Sequence, residues 1–93
     1  MLFVMICTDK PEHLSVRQQN RPAHLAYLSQ FEDTLFAAGP TFAADGTTMN
    51  GSVLILDFPD LSKAEAFAAG DPYAKAGLFA SVDIRPWKKV LPA

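Results

Sequence analysis

Apolar residues fall in short blocks along this chain, and the period inside each block predicts an element. Leu2 to Thr8 is an apolar run closed by Asp9, Lys10 and Pro11. Its length, with Val4 and Ile6 inside it, predicts a buried strand. Glu12 to Asn20 is polar, with Leu14 and Val16 as its only apolar anchors, and reads as a loop or a short helical turn. Arg21-Pro22 then opens a helix, because proline suits the first helical position, where its missing N–H costs nothing. Leu25, Leu28, Phe31 and Leu35 recur at three- and four-residue steps along one face, with the helix ending near Thr34.

Leu35 to Ala38 predicts a second strand, stopped by Gly39-Pro40, and Asp45-Gly46 predicts a turn. Gly51-Ser52 leads into Val53-Leu54-Ile55-Leu56-Asp57-Phe58, the clearest strand. Ser62-Lys63-Ala64-Glu65 has the form of a capping box at the start of an alanine-rich helix that Gly70 ends. Asp71 is placed to cap a further short turn, with Pro72 at its first position and Gly77 breaking it. Ala80 to Arg85 alternates as a last strand, with Pro86-Trp87 beyond. The order predicts a ferredoxin-like α+β sandwich. In it, a βαββαβ chain forms a four-stranded antiparallel sheet with helices on one face. Residues 1–93 read as a single domain, with no internal repeat, low-complexity tract or linker.

A sheet covered on one side should alternate apolar and polar residues. The first and third strands do not: Leu2, Val4 and Ile6 oppose Phe3, Met5 and Cys7, and Val53 and Ile55 oppose Leu54 and Leu56. The second face needs a cover, since soluble monomers avoid large apolar patches. A homodimer packed sheet to sheet supplies one; loops and Trp87 are the alternative.

Composition narrows the partners. Hydrophobic residues at 49% and charged residues at 19% support a packed core rather than disorder. The net charge of -2 and the lack of a basic stripe argue against nucleic acid. The apolar N-terminus has no basic flank and is too short to be a signal segment or to span a bilayer, so no membrane partner is expected. Cys7 is the single cysteine, which fits a reducing, cytoplasmic setting.

Few residues offer chemistry. His24 is expected in the first turn of its helix, where the dipole favours a neutral imidazole able to act as a base or a donor. A histidine that merely packs there is the plainer reading of the residues alone. Asp71 has a complete task as a helix cap, and spacing does not show that it meets His24. Arg21 is a candidate for binding an anionic group, against an exposed helix-start role. Tyr27, Tyr73, Phe79 and Trp87 are candidates for an aromatic pocket, against core packing. His13 reads as solvated, and Cys7 as an inert buried thiol. The two histidines lack clustered carboxylates, so no metal is expected. No phosphate-binding glycine loop, nucleophile elbow or dinucleotide fingerprint is present.

Several of these stretches carry a resemblance. Arg21-Pro22-Ala23-His24-Leu25-Ala26-Tyr27-Leu28, Ala38-Gly39-Pro40, Gly51-Ser52, Asp71-Pro72-Tyr73-Ala74-Lys75-Ala76-Gly77-Leu78-Phe79 and Val82-Asp83-Ile84-Arg85-Pro86-Trp87 resemble the YciI-like (YCII-related) family, in the family's order. The resemblance implies a dimeric α/β-barrel of ferredoxin-like subunits and a histidine–aspartate pair at His24 and Asp71. One branch of the family is similar to enzymes that remove chloride from chlorinated hydroxyquinols. Two functions follow as expectations. One is a cofactor-independent lyase or isomerase acting on a small phenolic or enolisable metabolite. In it His24 moves a proton, Asp71 holds the ring, and Arg21, Ser52 and Tyr73 bind substrate. The other is a small-ligand-binding or regulatory module without turnover.

Overall fold

Alternation along the two central strands decides where the core sits. The structure, a computed structural model, describes residues 1–93. Its elements run β1 (Leu2–Asp9), α1 (Leu14–Ser29), β2 (Leu35–Phe42), β3 (Met49–Asp57), α2 (Leu61–Gly70), α3 (Pro72–Lys75) and β4 (Phe79–Trp87). The strands form one antiparallel sheet in the order β2-β3-β1-β4, the ferredoxin-like arrangement. In the β1–β3 register Phe3 faces Leu56, Met5 faces Leu54 and Cys7 faces Ser52. Phe3, Met5, Cys7, Leu54 and Leu56 are buried against Leu28 of α1 and Ala64 and Phe67 of α2, so the helices cover this face. An aromatic cluster joins the helices: Phe31 meets Phe67 edge-on at 4.8 Å, and the Tyr27 hydroxyl donates to the Phe67 carbonyl at 2.9 Å.

The other face is less covered. Val4 pairs with Ile55 and Ile6 with Val53 across β1 and β3, and Ile6 is 44% exposed. Trp87 leans over this face towards Phe36 of β2, with ring centroids 6.1 Å apart, while Phe36 stays 50% exposed. No helix is long and apolar enough to cross a membrane.

Three boundaries differ from the sequence expectation. The helix expected to open at Arg21-Pro22 begins at Leu14 and runs through Pro22. The polar stretch before Pro22 is helical because its buried anchor is Arg17, held by an ion pair rather than by apolar contact. His24 therefore lies deep in the helix, and the first-turn dipole argument does not apply to it. The strand expected to stop at Gly39-Pro40 continues to Phe42. It is an edge strand, where a proline without an N–H is tolerated. The cap of α2 is Asp60, whose side chain accepts from the Lys63 backbone N–H at 2.9 Å, in place of the expected Ser62 box.

Candidate functional site

The site forms where one face of α1 meets the start of α3. Arg17, Arg21, His24 and Leu28 lie four, three and four residues apart, so they share that face. Asp71 sits at the sharp joint between α2 and α3 and caps α3, its Oδ1 accepting the Tyr73 backbone N–H at 2.9 Å. The same oxygen accepts from His24 Nδ1 at 2.8 Å. Both residues are buried, His24 7% and Asp71 3% exposed. The Tyr73 ring lies flat on the imidazole, centroids 3.9 Å apart and planes 14° from parallel. With Nδ1 donating to Asp71, the imidazole is oriented, and Nε2 is its remaining nitrogen. Nε2 has no partner in the protein, and no fully buried side-chain nitrogen or oxygen lacks one, so Nε2 opens on the adjoining cavity.

Seven residues earlier on α1, Arg17 is only 2% exposed. Its Nε and Nη2 grip the two oxygens of Asp9 at 2.7 and 2.9 Å, and Nη2 also donates to Ser52 Oγ at 2.9 Å. The guanidinium carbon stands 4.7 Å from the centre of the Tyr73 ring. Burial pulls the Arg17 proton affinity down, but the bond and charge of Asp9 outweigh it and hold the group above its ordinary value. Burial pushes the Tyr73 phenol up, against the pull of the nearby Arg17 and Arg21 guanidiniums. The Tyr73 hydroxyl makes no hydrogen bond of good geometry within the protein, so it too reaches the cavity.

The cavity has a volume of about 140 Å³. An apolar protein cavity of about 150 Å³ holds one benzene ring, so this space suits a single six-membered ring. Leu25, Leu28 and Leu54 supply apolar walls, and Ala38, Gly39 and Pro40 of the β2 edge form one side. Arg17, Arg21, His24, Ser52 and Tyr73 supply the polar groups. Arg17, Arg21 and Met49 also line an outer hollow of about 290 Å³ beside Thr47 and Thr48. The Thr48 hydroxyl and the Thr47 and Thr48 N–H groups hold the Asp45 carboxyl down at about 2, which fixes the hairpin tip at that hollow.

The structure thus brings together all five residues singled out in the sequence: His24 and Asp71 in contact, and Arg21, Ser52 and Tyr73 around the same space. Ser52 is engaged by Arg17, and Arg21 is exposed on a mid-helix turn rather than at a helix start. Tyr27 packs with Phe67, Phe79 meets the Tyr73 ring edge-on at 6.0 Å without lining the cavity, Trp87 lies on the far sheet face, and His13 Nδ1 bonds the Pro11 carbonyl at 2.8 Å. Arg17 and Asp9 were missed. A helix drawn from Leu14 would have exposed the stripe of Arg17, Arg21, His24 and Leu28. Cys7 lies beneath the site, its thiol pushed up to about 12 by burial first and then by the Asp71 carboxylate. A larger open hollow of about 630 Å³ at Met1, Leu2 and Pro86–Lys89 contains none of these groups.

Fold and site together define a ferredoxin-like domain with a ring-sized, polar-edged cavity beside a buried histidine–aspartate pair. The chain belongs to the YCII-related domain family, whose sequence model matches residues 1–88. It is 40% identical to Protein YciI of Escherichia coli O6:H1 over 97 residues, covering 97% of this chain and 99% of that protein. It is also similar to the solved structure of 5-chloro-2-hydroxyhydroquinone dehydrochlorinase (TftG) from Burkholderia phenoliruptrix AC1100, in complex with 2,5-dihydroxybenzoquinone. That likeness has a TM-score of 0.89 and 39% identity over 95% of this chain and 94% of that one. An antibiotic biosynthesis monooxygenase with a TM-score of 0.56 and 14% identity, matched over 97% of this chain and 99% of that chain, shares the fold alone.

Proposed function

We propose that this protein is a cofactor-independent enzyme of the lyase or isomerase type, acting on a small phenolic or enolisable ring compound. The observation that carries the reading is the buried His24–Asp71 bond of 2.8 Å, with the second imidazole nitrogen open to a cavity of about 140 Å³. His24 Nε2 takes a proton from a ring oxygen and returns one to a ring carbon, and Asp71 holds the imidazole and balances its charge when protonated. Arg21, Ser52 and Tyr73 line the space the substrate would occupy. The likeness to a dehydrochlorinase of a hydroxyhydroquinone supports a substrate of that size and chemistry.

The test is turnover of 5-chloro-2-hydroxyhydroquinone, followed by chloride release, beside a thermal-shift screen of other phenols and lactones. His24→Asn should lower the rate of any turnover by about 10²–10⁴-fold. Ligands that stabilise the protein yet are never consumed would instead make it a binding or regulatory module.

The assembly proposed is a homodimer joined through the open sheet face. Val4, Ile6, Val53, Ile55 and the exposed Phe36 make that face apolar, and a second copy would cover it. Sedimentation at micromolar concentration should give about twice 10.1 kDa. A stable monomer would defeat the proposal. The lone buried thiol fits a cytoplasmic setting.

A further inference from the structure

We infer that Arg17 holds an ionised oxygen of the ligand, and that the cavity therefore selects six-membered rings bearing a phenolate, enolate or carboxylate. The inference deepens the ring-sized reading of the site but does not rest on turnover. A guanidinium has five N–H donors. Asp9 takes one from Nε and one from Nη2, and Ser52 takes the other from Nη2. The two donors of Nη1 make no hydrogen bond of good geometry within the protein, where the Tyr73 hydroxyl is the group beside the guanidinium, although Arg17 is only 2% exposed. No fully buried side-chain nitrogen lacks a partner, so Nη1 reaches open space, and both hollows that Arg17 lines lie on the site side.

A charged edge left unpaired in so buried a side chain is costly unless something occupies it. Asp9 does not remove the attraction for an anion. Its two oxygens are taken up at the far edge of the fork, and a guanidinium binds a second oxyanion through its free edge. Arg21, one turn further along α1 and in no ion pair, adds an uncompensated positive charge on the same wall. The two carboxylates nearby are already engaged, Asp9 by Arg17 and Asp71 by His24 and the Tyr73 N–H. The polar groups left facing the ligand are thus donors, with His24 Nε2 as the acceptor. A ring that presents an ionised oxygen to Arg17 and a removable proton to His24 satisfies both. The sequence pointed to Arg21 and Ser52 for this task. The structure assigns the inner position to Arg17, with the Ser52 hydroxyl holding its fork.

The experiment compares benzoate with benzamide, which has nearly the same shape and no charge, by calorimetry and NMR titration of the intact protein. 4-Nitrophenol extends it, because its visible absorbance reports whether phenol or phenolate is bound. Wild type should bind benzoate at least tenfold more tightly than benzamide and should favour the nitrophenolate. Most of the preference should be lost in the double variant Arg17→Met, Asp9→Asn, which removes the pair without leaving a lone buried charge and keeps only the outer charge of Arg21. Benzamide affinity should change less than about twofold. The wild-type protein supplies a second reading: the Arg17 guanidinium resonances should shift on adding benzoate and stay still with benzamide. Equal binding of the two ligands, a preference largely retained by the double variant, or still Arg17 resonances would each overturn the inference. Charge-selective binding without any turnover would leave it standing and refute the enzyme.

Discussion

Two buried side-chain pairs tie α1 to the rest of the molecule, and they are built differently. Near the start of the helix, Arg17 meets Asp9 of β1 through two parallel bonds that use both carboxylate oxygens. Seven residues on, His24 meets Asp71 through one bond to Oδ1, which also caps α3. The first pair carries full, opposite charges that compensate each other and fasten a helix to a strand. The second joins an anion to an imidazole whose other nitrogen, Nε2, is left without a partner in the protein. On the proposed function, the difference separates a clamp from a pair that moves protons. Arg17 and His24 line the same cavity, so on the proposals above one small domain would present an anion-binding edge and a base to one ring.

If the clamp is essential, breaking one half of it should have the largest effect on stability. Arg17→Met leaves the Asp9 carboxylate, with 6% of its side chain exposed, without a partner. The expected loss is about 3–5 kcal/mol in urea unfolding, a large part of the stability of a small domain. Adding Asp9→Asn should restore most of it. A loss below about 1 kcal/mol for Arg17→Met alone would mean that water or a shift of the side chains already compensates Asp9.

The second pair should respond less, and differently to two substitutions. Asp71→Ala removes the cap of α3, worth about 1 kcal/mol, and leaves the imidazole N–H without an acceptor, for a total of about 2–3 kcal/mol. Asp71→Asn keeps an oxygen for both the Tyr73 N–H and His24, and should cost under about 1 kcal/mol. Turnover, where it is found, should fall in both. Equal stability losses would show that the charge of Asp71, rather than its cap, carries the structural role.

The sequence disclosed the fold more fully than the site. Strands and helices announced themselves through apolar period, and the doubled apolar faces of β1 and β3 marked the apolar character of the sheet's open face. The first turns of α1 stayed hidden because Arg17 anchors them: a hydrophobic pattern cannot register a helix held down by an ion pair. That omission put Pro22 at a helix start and moved His24 into the wrong electrostatic setting. The contact of His24 with Asp71 spans 47 residues and depends on how α1 crosses α3, which no local spacing encodes. Their pairing was available beforehand only through family resemblance. Asp71 as a cap was legible from Asp-Pro alone, because capping is local.

Cys7 offers the finest test, since it lies between the pairs and senses both. Its thiol is held up at about 12 by burial, then by Asp71, with Arg17 pulling down and Asp9 pushing up. The folded value exceeds the ordinary 9.0, so the thiol's contribution to stability is fully present below pH 9 and is lost as pH rises towards 12. One unit above the ordinary value, at about pH 10, wild type should have lost about 1.4 kcal/mol more than Cys7→Ala. The charges of Arg17 and Asp9 act on the thiol in opposite senses and partly cancel, whereas Asp71 is the larger influence. Asp71→Asn should therefore bring the thiol down and make the alkaline loss smaller. Removing Arg17 and Asp9 together should move it less. The measurement is urea unfolding at pH 8, 9, 10 and 11, with each variant compared to its own Cys7→Ala partner so that other titrations drop out. A larger shift from the double variant than from Asp71→Asn would invert the comparison, because the clamp rather than the histidine pair would then present the uncompensated charge.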